Sequence, residues 1–372
     1  MMNDIKKTLS NIPGWQTKRH IVVIESDDWG SIRTRSKKDY DEMLAAGLNV
    51  DSIYFTKYDC LESNLDLERL YELLSKHKDA SGRAAVLTPM CVVTNPDFEK
   101  IEENGFSEYV YEPMPETHKR YEGHERVLEL WHEGIEKRLF MPALHGREHL
   151  NYVRWMDNVR NNAGMRIAFE HQSMGSTFYK GVPMHEYLGA FKPTTPDDLP
   201  LLQDVVKDAG RLFKDICGYK PTHFIAPNEE PMYGLDASFA AIGVRCITNA
   251  KIRRHHLGNG KVKREFVWPG KYYKDLDIIN ISRNGGFEQV APGHDWVNEC
   301  LGDIASAFRW HKPCVISSHR VNYVGGIDEK NADEGLRKLD ELLKEIIKRW
   351  PDVEYMTSTE LGDIIRKDKG LA

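Results

Sequence analysis

Short apolar segments recur along the chain and alternate with longer amphipathic segments. Residues 21–24, with the sequence Ile-Val-Val-Ile, contain no charged or polar side chain. A β-branched run of this kind is typical of a strand that is buried on both faces of a parallel sheet. Seven further runs have a similar character. The predicted strands span residues 20–25, 84–88, 140–144, 222–226, 244–248, 276–281, 313–318 and 353–357.

The segments between these runs carry apolar residues at helical spacing. Leu67, Leu70 and Leu74 lie on one stripe of a predicted helix at residues 65–79. The same periodicity recurs at residues 124–140, 199–216 and 332–350. Strands that alternate with helices predict a parallel sheet with crossover helices, so either a (β/α) barrel or a doubly wound sheet. The sequence contains no G-x-G-x-x-G motif, which disfavours a Rossmann nucleotide site, and Gly-Gly-Phe at 285–287 is interpreted as an ordinary loop.

Three irregular segments interrupt the alternation, at residues 89–115, 172–197 and 251–274, and they are rich in Pro, Gly and aromatic residues. Long ordered loops at a sheet edge usually shape a pocket. Neither a low-complexity linker nor an internal repeat divides the chain. We therefore predict one domain with loop insertions over residues 1–372, with an N-terminal extension at residues 1–19.

Composition changes this picture little. The 372 residues suffice for two average domains or for one elaborated barrel. Hydrophobic residues make up 41% of the chain and charged residues 29%, which is an ordinary balance for a globular protein. The net charge of −6 and the lack of a long basic stripe argue against nucleic-acid binding. No apolar run reaches the roughly 18–20 residues that a membrane span needs.

The N-terminus and the cysteines indicate the compartment. The first residues lack the apolar stretch of an export signal. The six cysteines are scattered and form no C-x-x-C pair, which favours reduced thiols over a disulfide framework or a cysteine-based zinc site. We therefore expect a cytoplasmic protein. The sequence leaves its oligomeric state open.

Asp27 and Asp28 directly follow the first predicted strand. A parallel strand delivers the residues after it to the carboxyl edge of the sheet, where α/β proteins bind their ligands. Adjacent ionised carboxylates raise one another's pKa unless a cation or hydrogen-bond donors compensate. The pair therefore indicates a metal ligand or a catalytic base. The alternative is a turn in which an aspartate caps the next helix.

His145 and His149 lie four residues apart in the segment HGREH. If the strand ends near His145 and a helix follows, both imidazoles lie on one helix face and can share a metal ion. Surface histidines also meet this spacing by chance. With an aspartate from the first strand, the pair would complete three ligands with open coordination positions, as a hydrolytic Zn²⁺ requires.

His319 ends the strand predicted at residues 313–318. A histidine at a strand end is a natural proton donor or base at neutral pH, and the alternative is a ring satisfied by local backbone. Asp295 and Trp296 precede it in the sequence. Asp295 either caps a helix or orients a histidine, and Trp296 either packs in the core or lines a sugar site.

Taken together, these segments resemble the polysaccharide deacetylase family, the chitin- and peptidoglycan-deacetylase group of carbohydrate esterases. The family's T-F-D-D-G motif corresponds to ESDDWG at residues 25–30, and its H-[ST]-x-x-H motif to HGREH at residues 145–149. A late strand that ends in histidine corresponds to ISSH, at residues 316–319. The resemblance spans residues 20–365 in the family's order. It implies a distorted (β/α) barrel of about seven parallel strands.

The resemblance also implies a reaction. Asp28, His145 and His149 would hold a divalent metal ion, with Zn²⁺ the expected one, and Asp27 would be the general base. The expected substrate is a carbohydrate, and the reaction is removal of acetyl groups from N- or O-acetylated sugars or polysaccharide precursors. For an N-acetyl group this is hydrolysis of a carbon–nitrogen bond other than a peptide bond.

The same resemblance assigns the proton donor and the residues around it. His319 would protonate the departing amine, with Asp295 orienting it and Trp296 lining the sugar site. The predicted substrate-binding or supporting residues are Trp29, Pro227, Asn228, Asp295, Trp296 and Arg320.

The chain departs from the family's pattern at one important position. The R-x-P-[YFW] motif falls on Ile-Ala-Pro-Asn at residues 225–228, so the arginine that normally pairs with the base aspartate is absent there. Arg320 and Arg283 are the candidates to replace it. Gly146 also removes the usual hydroxyl of the second motif, and Trp29 adds a bulky side chain to the first.

Two other functions fit parts of the sequence. HGREH also matches H-x-x-E-H, the inverted zincin pattern, with Glu148 as base and Glu229 or Glu230 as a distal ligand. This zinc-peptidase interpretation requires the motif to lie in a helix, and it leaves the two aspartates unused. The second alternative is a non-catalytic carbohydrate-binding barrel that lost its chemistry with the motif arginine. Glycoside cleavage by a related barrel is a lesser possibility.

Overall fold

A ten-stranded, mostly parallel sheet forms the centre of the protein. The computed structural model describes residues 11–176, 178–180, 182–184 and 186–371. The strands are β1 (Ile21–Trp29), β2 (Leu87–Val92), β3 (Thr94–Pro96), β4 (Tyr111–Pro113), β5 (Ala143–Gly146), β6 (Phe178–Tyr179), β7 (Val182–Pro183), β8 (His223–Phe224), β9 (Cys246–Asn249), β10 (Ile252–Gly258), β11 (Lys261–Phe266), β12 (Tyr272–Tyr273), β13 (Ile278–Ser282), β14 (Gly285–Gly286), β15 (Cys314–His319) and β16 (Glu354–Met356).

Helices of very different lengths connect these strands. They are α1 (Lys37–Ala45), α2 (Tyr54–Tyr58), α3 (Asn64–Lys76), α4 (Phe98–Glu103), α5 (Met114–Lys119), α6 (Val127–Glu136), α7 (Tyr152–Asn161), α8 (Ala163–Glu170), α9 (Leu199–Cys217), α10 (Asp236–Ile242), α11 (Trp296–Arg309), α12 (Glu329–Arg349) and α13 (Ser358–Asp368). The eight predicted strands and the four predicted amphipathic helices are confirmed. In α3, the stripe formed by Leu67, Leu70 and Leu74 is fully buried, as its spacing predicts.

The strand order and the chain connections bring the two ends of the sheet together. It runs β12-β13-β9-β8-β5-β2-β1-β15-β14, and β16 pairs with the first half of β1. β13 pairs with β9 near one end of this order, whereas β14 pairs with β15 at the other end. Only Arg283 and Asn284 separate β13 from β14 in the sequence. Because two residues join opposite ends of the sheet, it curls into a distorted (β/α) barrel, and the doubly wound alternative is excluded.

Four expectations about loops are wrong. Residues 89–115 contain the end of β2, the antiparallel pair β3–β4 and helix α4, and residues 172–197 contain the antiparallel pair β6–β7. The stretch at 285–287 is not an ordinary loop, because Gly285–Gly286 forms the short strand β14. Residues 251–274 include the antiparallel hairpin β10–β11. Its turn residues, Asn259 and Gly260, have φ values of 52° and 71°. Asn-Gly suits such a turn because both residues tolerate the left-handed region, and this local signal was missed.

The described part of the N-terminal segment packs against the barrel. The backbone N–H of Trp15 donates to the carbonyl of Pro269 at 2.8 Å. The buried Nζ of Lys312 donates to the carbonyls of Gly14 at 2.7 Å and Trp15 at 2.8 Å. The division into one domain with an extension at 1–19 stays a prediction. Among the described residues, no helix has both the length and the apolar character that a membrane crossing requires.

Candidate metal centre and active site

A β-bulge turns Asp27 and Asp28 toward the same pocket. In a regular strand, adjacent side chains point to opposite faces. Here Ser26 pairs with Pro89 and Trp29 with Cys91, so β1 contains one residue more than β2 between these pairs. Asp28 has a φ of 76°, in the left-handed region. Such a bulge re-aims side chains, and both carboxylates consequently line one cavity.

Asp28, His145 and His149 bring three metal-ligating atoms together. Asp28 Oδ1 lies 2.9 Å from His149 Nε2 and 3.7 Å from His145 Nε2. All three residues are buried. In a tetrahedral zinc site, nitrogen and oxygen donors about 2.0–2.2 Å from the ion lie roughly 3.4 Å from one another. The two separations bracket this value, so the donor set fits a divalent ion.

Neighbouring groups hold two of these ligands, His145 and Asp28, in the state that a metal needs. The carbonyl of Ile225 can only accept, so His145 Nδ1 donates to it at 2.9 Å and leaves the Nε2 lone pair facing Asp28. Burial lowers the pKa of His145 to about 4, which keeps its imidazole neutral. Asp28 Oδ2 accepts from Arg33 Nη2 at 3.2 Å. Burial opposes ionisation of Asp28, but His149 and Arg33 outweigh it and hold its pKa well below the usual range.

The expected helix beneath the two histidines is absent. β5 ends at Gly146, and α7 begins only at Tyr152, because the Asn151 side chain caps that helix by accepting from the N–H of Arg154. His149 therefore lies in the intervening loop. The two imidazole rings still approach each other, with centroids 5.2 Å apart. The loop rather than a helical repeat brings them together.

Arg283 forms the ion pair with Asp27 that the missing motif arginine would otherwise form. Its Nη2 and Nη1 donate to the two oxygens of Asp27 at 2.6 and 2.8 Å, and its Nε donates to Glu25 at 2.7 Å. Burial opposes ionisation of Asp27, but Arg283 outweighs it and lowers the pKa of this carboxyl. Asp27 is therefore a carboxylate at neutral pH. The arginine comes from the short connection that closes the barrel.

The other candidate for this role, Arg320, is not at the pocket. Its side chain is fully buried and donates to Asp59 at 3.0 and 3.1 Å and to Glu62 at 2.9 Å. Two carboxylates therefore already bind its guanidinium. The structure corrects the prediction that Arg320 supports the substrate site.

His319 lies beside Asp27 on the neighbouring strand. The two residues are register partners across β1 and β15, and His319 Nε2 is 3.8 Å from Asp27 Oδ2. The other ring nitrogen, Nδ1, contacts Glu288 Oε2, and Asn322 Nδ2 donates to Glu288 Oε1 at 2.6 Å. Burial favours the neutral ring, but Glu288 and Asp27 outweigh it and raise the pKa of His319 to about 9. The ring is therefore an imidazolium at neutral pH.

Glu288, rather than Asp295, orients this histidine. Asp295 is the exposed N-cap of α11 and accepts from the N–H of Asn298 at 3.3 Å, and Trp296 Nε1 donates to the carbonyl of Ala291. Neither residue lines the pocket. Sequence reasoning missed Glu288 because its neighbour β14 was interpreted as a loop. Pairing of β14 with β15 is what brings Glu288 beside His319.

The remaining predicted residues divide between the pocket and the core. The cavity has a volume of about 250 Å³, and Asn228 is among the residues that line it. Trp29 does not: it is fully buried, its Nε1 donates to Ser26 Oγ at 2.9 Å, and its ring packs against Phe140. Pro227 is buried beside the pocket without lining it.

Glu148, the base of the peptidase interpretation, is engaged elsewhere. Its carboxylate accepts from Arg147 at 2.6 and 2.9 Å and from Thr94 Oγ1 at 3.1 Å. It does not line the cavity. Since the motif also lies in a loop instead of a helix, the geometry disfavours a zinc peptidase.

No family model matches the chain, and no curated protein matches it. Solved structures with a similar fold include a candidate polysaccharide deacetylase from Mycobacterium smegmatis (10% identity, TM-score 0.46, covering 96% of this chain and 94% of that one). A candidate glycoside hydrolase/deacetylase from Parabacteroides distasonis has 9% identity and a TM-score of 0.49, with 95% of this chain and 73% of that chain covered. An allantoinase has 12% identity and a TM-score of 0.40, with coverages of 96% and 94%. The strand order described above carries the fold assignment.

Proposed function

We propose that the protein is a metal-dependent hydrolase that removes acetyl groups from acetylated sugars, as a divergent member of the polysaccharide deacetylase family. One observation carries the proposal: a three-donor metal set, an ionised carboxylate and an imidazolium line the same cavity. These are the groups that metal-assisted hydrolysis of an acyl bond requires. Each lies at or just beyond the carboxyl end of a parallel strand of the barrel.

The metal ligands in this proposal are Asp28 Oδ1, His145 Nε2 and His149 Nε2. Nitrogen and carboxylate donors suit Zn²⁺, and three protein ligands leave a position for water. When bound, such an ion lowers the pKa of a water molecule and polarises the acyl oxygen. Arg33 holds the second oxygen of Asp28 and keeps the first one directed at the histidines.

Asp27 is the proposed general base. It takes a proton from the water whose oxygen forms a bond to the acyl carbon. The two hydrogen bonds from Arg283 fix the carboxylate orientation and keep it ionised. Because Arg283 is also bound to Glu25, its positive charge is shared between two carboxylates, which moderates its hold on Asp27.

His319 is the proposed general acid. When the carbon–nitrogen bond of an N-acetyl group breaks, His319 gives its proton to the departing nitrogen, so that acetate and a free amine are the products. Glu288 stabilises the imidazolium before this transfer. His319 Nε2 and Asp27 Oδ2 are 3.8 Å apart, so the proposed acid and base lie side by side in the cavity lining.

Metal analysis combined with acetate release tests this function. The protein is stripped with a chelator, reloaded with Zn²⁺ and assayed on a panel of N- and O-acetylated sugars. We expect about one ion per chain and acetate release. Asp28→Ala removes both, whereas Glu148→Gln retains both if Glu148 is not the base. A chain that binds no more than about a tenth of an ion, or that releases no acetate from any sugar, contradicts the proposal.

A further inference from the structure

Glu229 presents a carboxylate to the cavity that the proposed chemistry does not use. It lies in the loop after β8 and lines the same cavity as Asp27 and Arg283. Asn228 and Glu229 have φ values of 55° and 53°, so two successive residues adopt the left-handed region. Backbone conformations of this kind are strained for residues other than glycine and cluster at functional sites. Here they turn the loop so that both residues line the cavity.

The hydrogen-bonding capacity of Glu229 is largely unused. Its Oε2 accepts from the N–H of Ala250 at 3.2 Å. Among the described residues no further donor contacts this carboxylate, since the nearby guanidinium of Arg283 is directed at Asp27, Glu25 and Ser317. A half-buried carboxylate with one hydrogen bond gains from a donor supplied by a ligand.

The cations that line the cavity, in contrast, are all engaged, and the half-exposed Arg254, whose Nη2 lies 3.5 Å from the carbonyl of Asn228, is outside the lining. Arg33 is bound to Asp28, and its Nε lies 3.6 Å from Asp59. Arg283 is bound to Asp27 and Glu25, and His319 to Glu288. Within the part of the chain that the structure describes, the cavity lining holds no further Lys, Arg or His beyond these and the two histidines of the metal set. The cavity lining therefore offers a hydrogen-bond acceptor to a ligand but no unpaired cationic side chain.

The cavity is also small. Its volume of about 250 Å³ is slightly below the range of roughly 300–1,000 Å³ that is usual for ligand sites. Phe55 and Thr56 of α2 form part of its wall, and the Phe55 ring contacts the His319 ring edge-on, with centroids 4.8 Å apart. The space suits one sugar ring with its acyl group. The described lining does not leave room in it for several rings side by side.

On the basis of the proposed function, we propose that the cavity selects one uncharged acylated sugar unit and that Glu229 accepts a hydrogen bond from one of its hydroxyl groups. The unit is a free monosaccharide or the terminus of a chain. A phosphate on the sugar ring, away from the acyl group at the metal site, would meet the Glu229 carboxylate, and the side-chain cations that line the cavity are already paired. Glu229 is thus a specificity-determining residue, and phosphorylated sugars are excluded.

Graded substrates test the size and the charge of the ligand. The zinc-loaded protein is assayed with N-acetylglucosamine, N-acetylgalactosamine, N-acetylmannosamine, the 6-phosphates of these sugars, and the tetramer of N-acetylglucosamine. We expect the best neutral monosaccharide to exceed its 6-phosphate at least about tenfold in kcat/KM, and the tetramer to lose only a terminal acetyl group. Equal rates with the phosphate, or release of all acetyl groups of the tetramer, overturn the proposal.

Substitutions test the role of Glu229. Glu229→Ala should raise KM roughly ten- to a hundredfold, the equivalent of one hydrogen bond to a charged group, with kcat changed little. Glu229→Gln keeps the shape of the side chain and one hydrogen-bond acceptor, so it should raise KM less than Glu229→Ala does. It should also reduce the ratio of kcat/KM for the neutral sugar to kcat/KM for its 6-phosphate. Glu230→Gln is the matched control, because Glu230 contacts Lys192 and does not line the cavity. An unchanged KM in both Glu229 variants overturns the proposal.

Binding separates this proposal from the proposed function. Calorimetric titration of the Asp27→Asn protein with the same neutral sugars measures recognition without turnover. Weaker sugar binding in the Asp27→Asn, Glu229→Ala double variant than in Asp27→Asn supports the selectivity proposal. This holds even if the wild-type protein releases no acetate, because that result contradicts only the hydrolase proposal. If no sugar binds and none is hydrolysed, the cavity is not a sugar site and the selectivity proposal is wrong.

Discussion

The carboxylate of Asp27 and the imidazolium of His319 are each held by an opposite charge from another segment of the barrel. Arg283 binds Asp27, and Glu288 contacts His319. These partners differ from those that the family resemblance implies, which are an arginine in the segment at 225–228 and Asp295. The pairing of charges is nevertheless the one that the resemblance implies, with an arginine beside the aspartate and a carboxylate beside the histidine. An ionised carboxylate and an imidazolium, the groups that the proposed base and acid require, are therefore present although the motifs that usually supply their partners are incomplete.

Replacing Glu288 should change the pH dependence of the proposed reaction. Glu288 raises the pKa of His319, so Glu288→Gln lowers that pKa and leaves His319 neutral at a lower pH. Activity that requires the imidazolium is retained below the pKa and lost as pH rises through it, at about 9 in the wild-type protein. The basic limb of kcat/KM should therefore move to lower pH. Asp295→Asn, which affects only the exposed N-cap, is the control, and an unmoved limb in Glu288→Gln contradicts the prediction.

Removal of Arg283 should reduce both stability and activity. Asp27 and Glu25 are buried, and Arg283→Ala leaves the two carboxylates without the cation they share. Removing one partner of a buried ion pair typically costs about 3–5 kcal/mol. Urea unfolding at pH 7 measures the loss. Arg283→Lys retains the charge but cannot donate to both carboxylates in the same geometry, so it should give an intermediate result, and a stability equal to wild type in both variants would refute the pairing.

At the level of secondary structure, β-bulges and close helix contacts position the site. The bulge in β1 turns Asp28, and a shift in the pairing of β2 with β5 occurs next to His145. Behind His319, helix α12 approaches the turn at Arg320–Asn322 so closely that a Cβ on Gly335 would lie 1.6 Å from the carbonyl oxygen of Asn322. Asn322 in turn donates to Glu288. The contact between α12 and the turn is therefore linked to His319 through Asn322 and Glu288.

Gly335→Ala should consequently destabilise the protein and impair the site. The added methyl group must displace backbone, and overpacking of this kind costs about 1–3 kcal/mol or more. We expect a lower Tm and a lower kcat, since Glu288 shifts with Asn322. Gly302→Ala in α11 is the control, because nothing lies within 4 Å of the added Cβ, and alanine should stabilise that helix by up to about 1 kcal/mol. Equal Tm changes in the two variants would contradict this contact.

At the scale of the whole molecule, buried carboxylates link the barrel wall to its surrounding helices. Glu25 on β1 accepts from Arg283, from Thr248 on β9 and from Ser358 at the start of α13. Burial opposes ionisation of Glu25, but Arg283 and His223 outweigh it and lower the pKa to about 2. In the same way, His118 and Arg320 outweigh the burial of Glu62 and lower its pKa to about 2.

These carboxylates predict sensitivity to acid. A carboxyl group with a lowered pKa in the folded state stabilises the fold above its ordinary pKa, and this contribution is lost as pH falls through the folded-state value. Unfolding free energy should therefore fall between about pH 4.5 and pH 2, by on the order of 3 kcal/mol for each group. Urea unfolding at pH 7 and at pH 3 measures the difference. Glu62→Gln should make the unfolding free energy depend less on pH, whereas Glu72→Gln, at an exposed position, should leave that dependence unchanged. Equal changes in unfolding free energy between pH 7 and pH 3 in the two variants would contradict the role assigned to Glu62.

Local patterns were sufficient for the elements and for part of the site. The apolar runs placed the eight strands, because a buried strand needs no partner information to be recognised. The strand-end positions of Asp27 and His319 predicted a common edge, and the two residues are indeed register partners. The roles of these residues and of the metal ligands stay predictions until they are measured.

The sequence by itself determined eight of the strands, four of the helices and the segments that bear Asp27, Asp28, His145, His149 and His319, because these depend on periodicity and on residue type along a short stretch. Only the tertiary structure decided which charges meet. Arg283 reaches Asp27 because the two ends of the sheet join at that residue, and Glu288 reaches His319 because β14 pairs with β15. Arg283 is far from Asp27 in the sequence, and Glu288 belongs to none of the motifs of the chain. Charge pairing acts through space, so their identity depends on barrel closure, which no local pattern encodes.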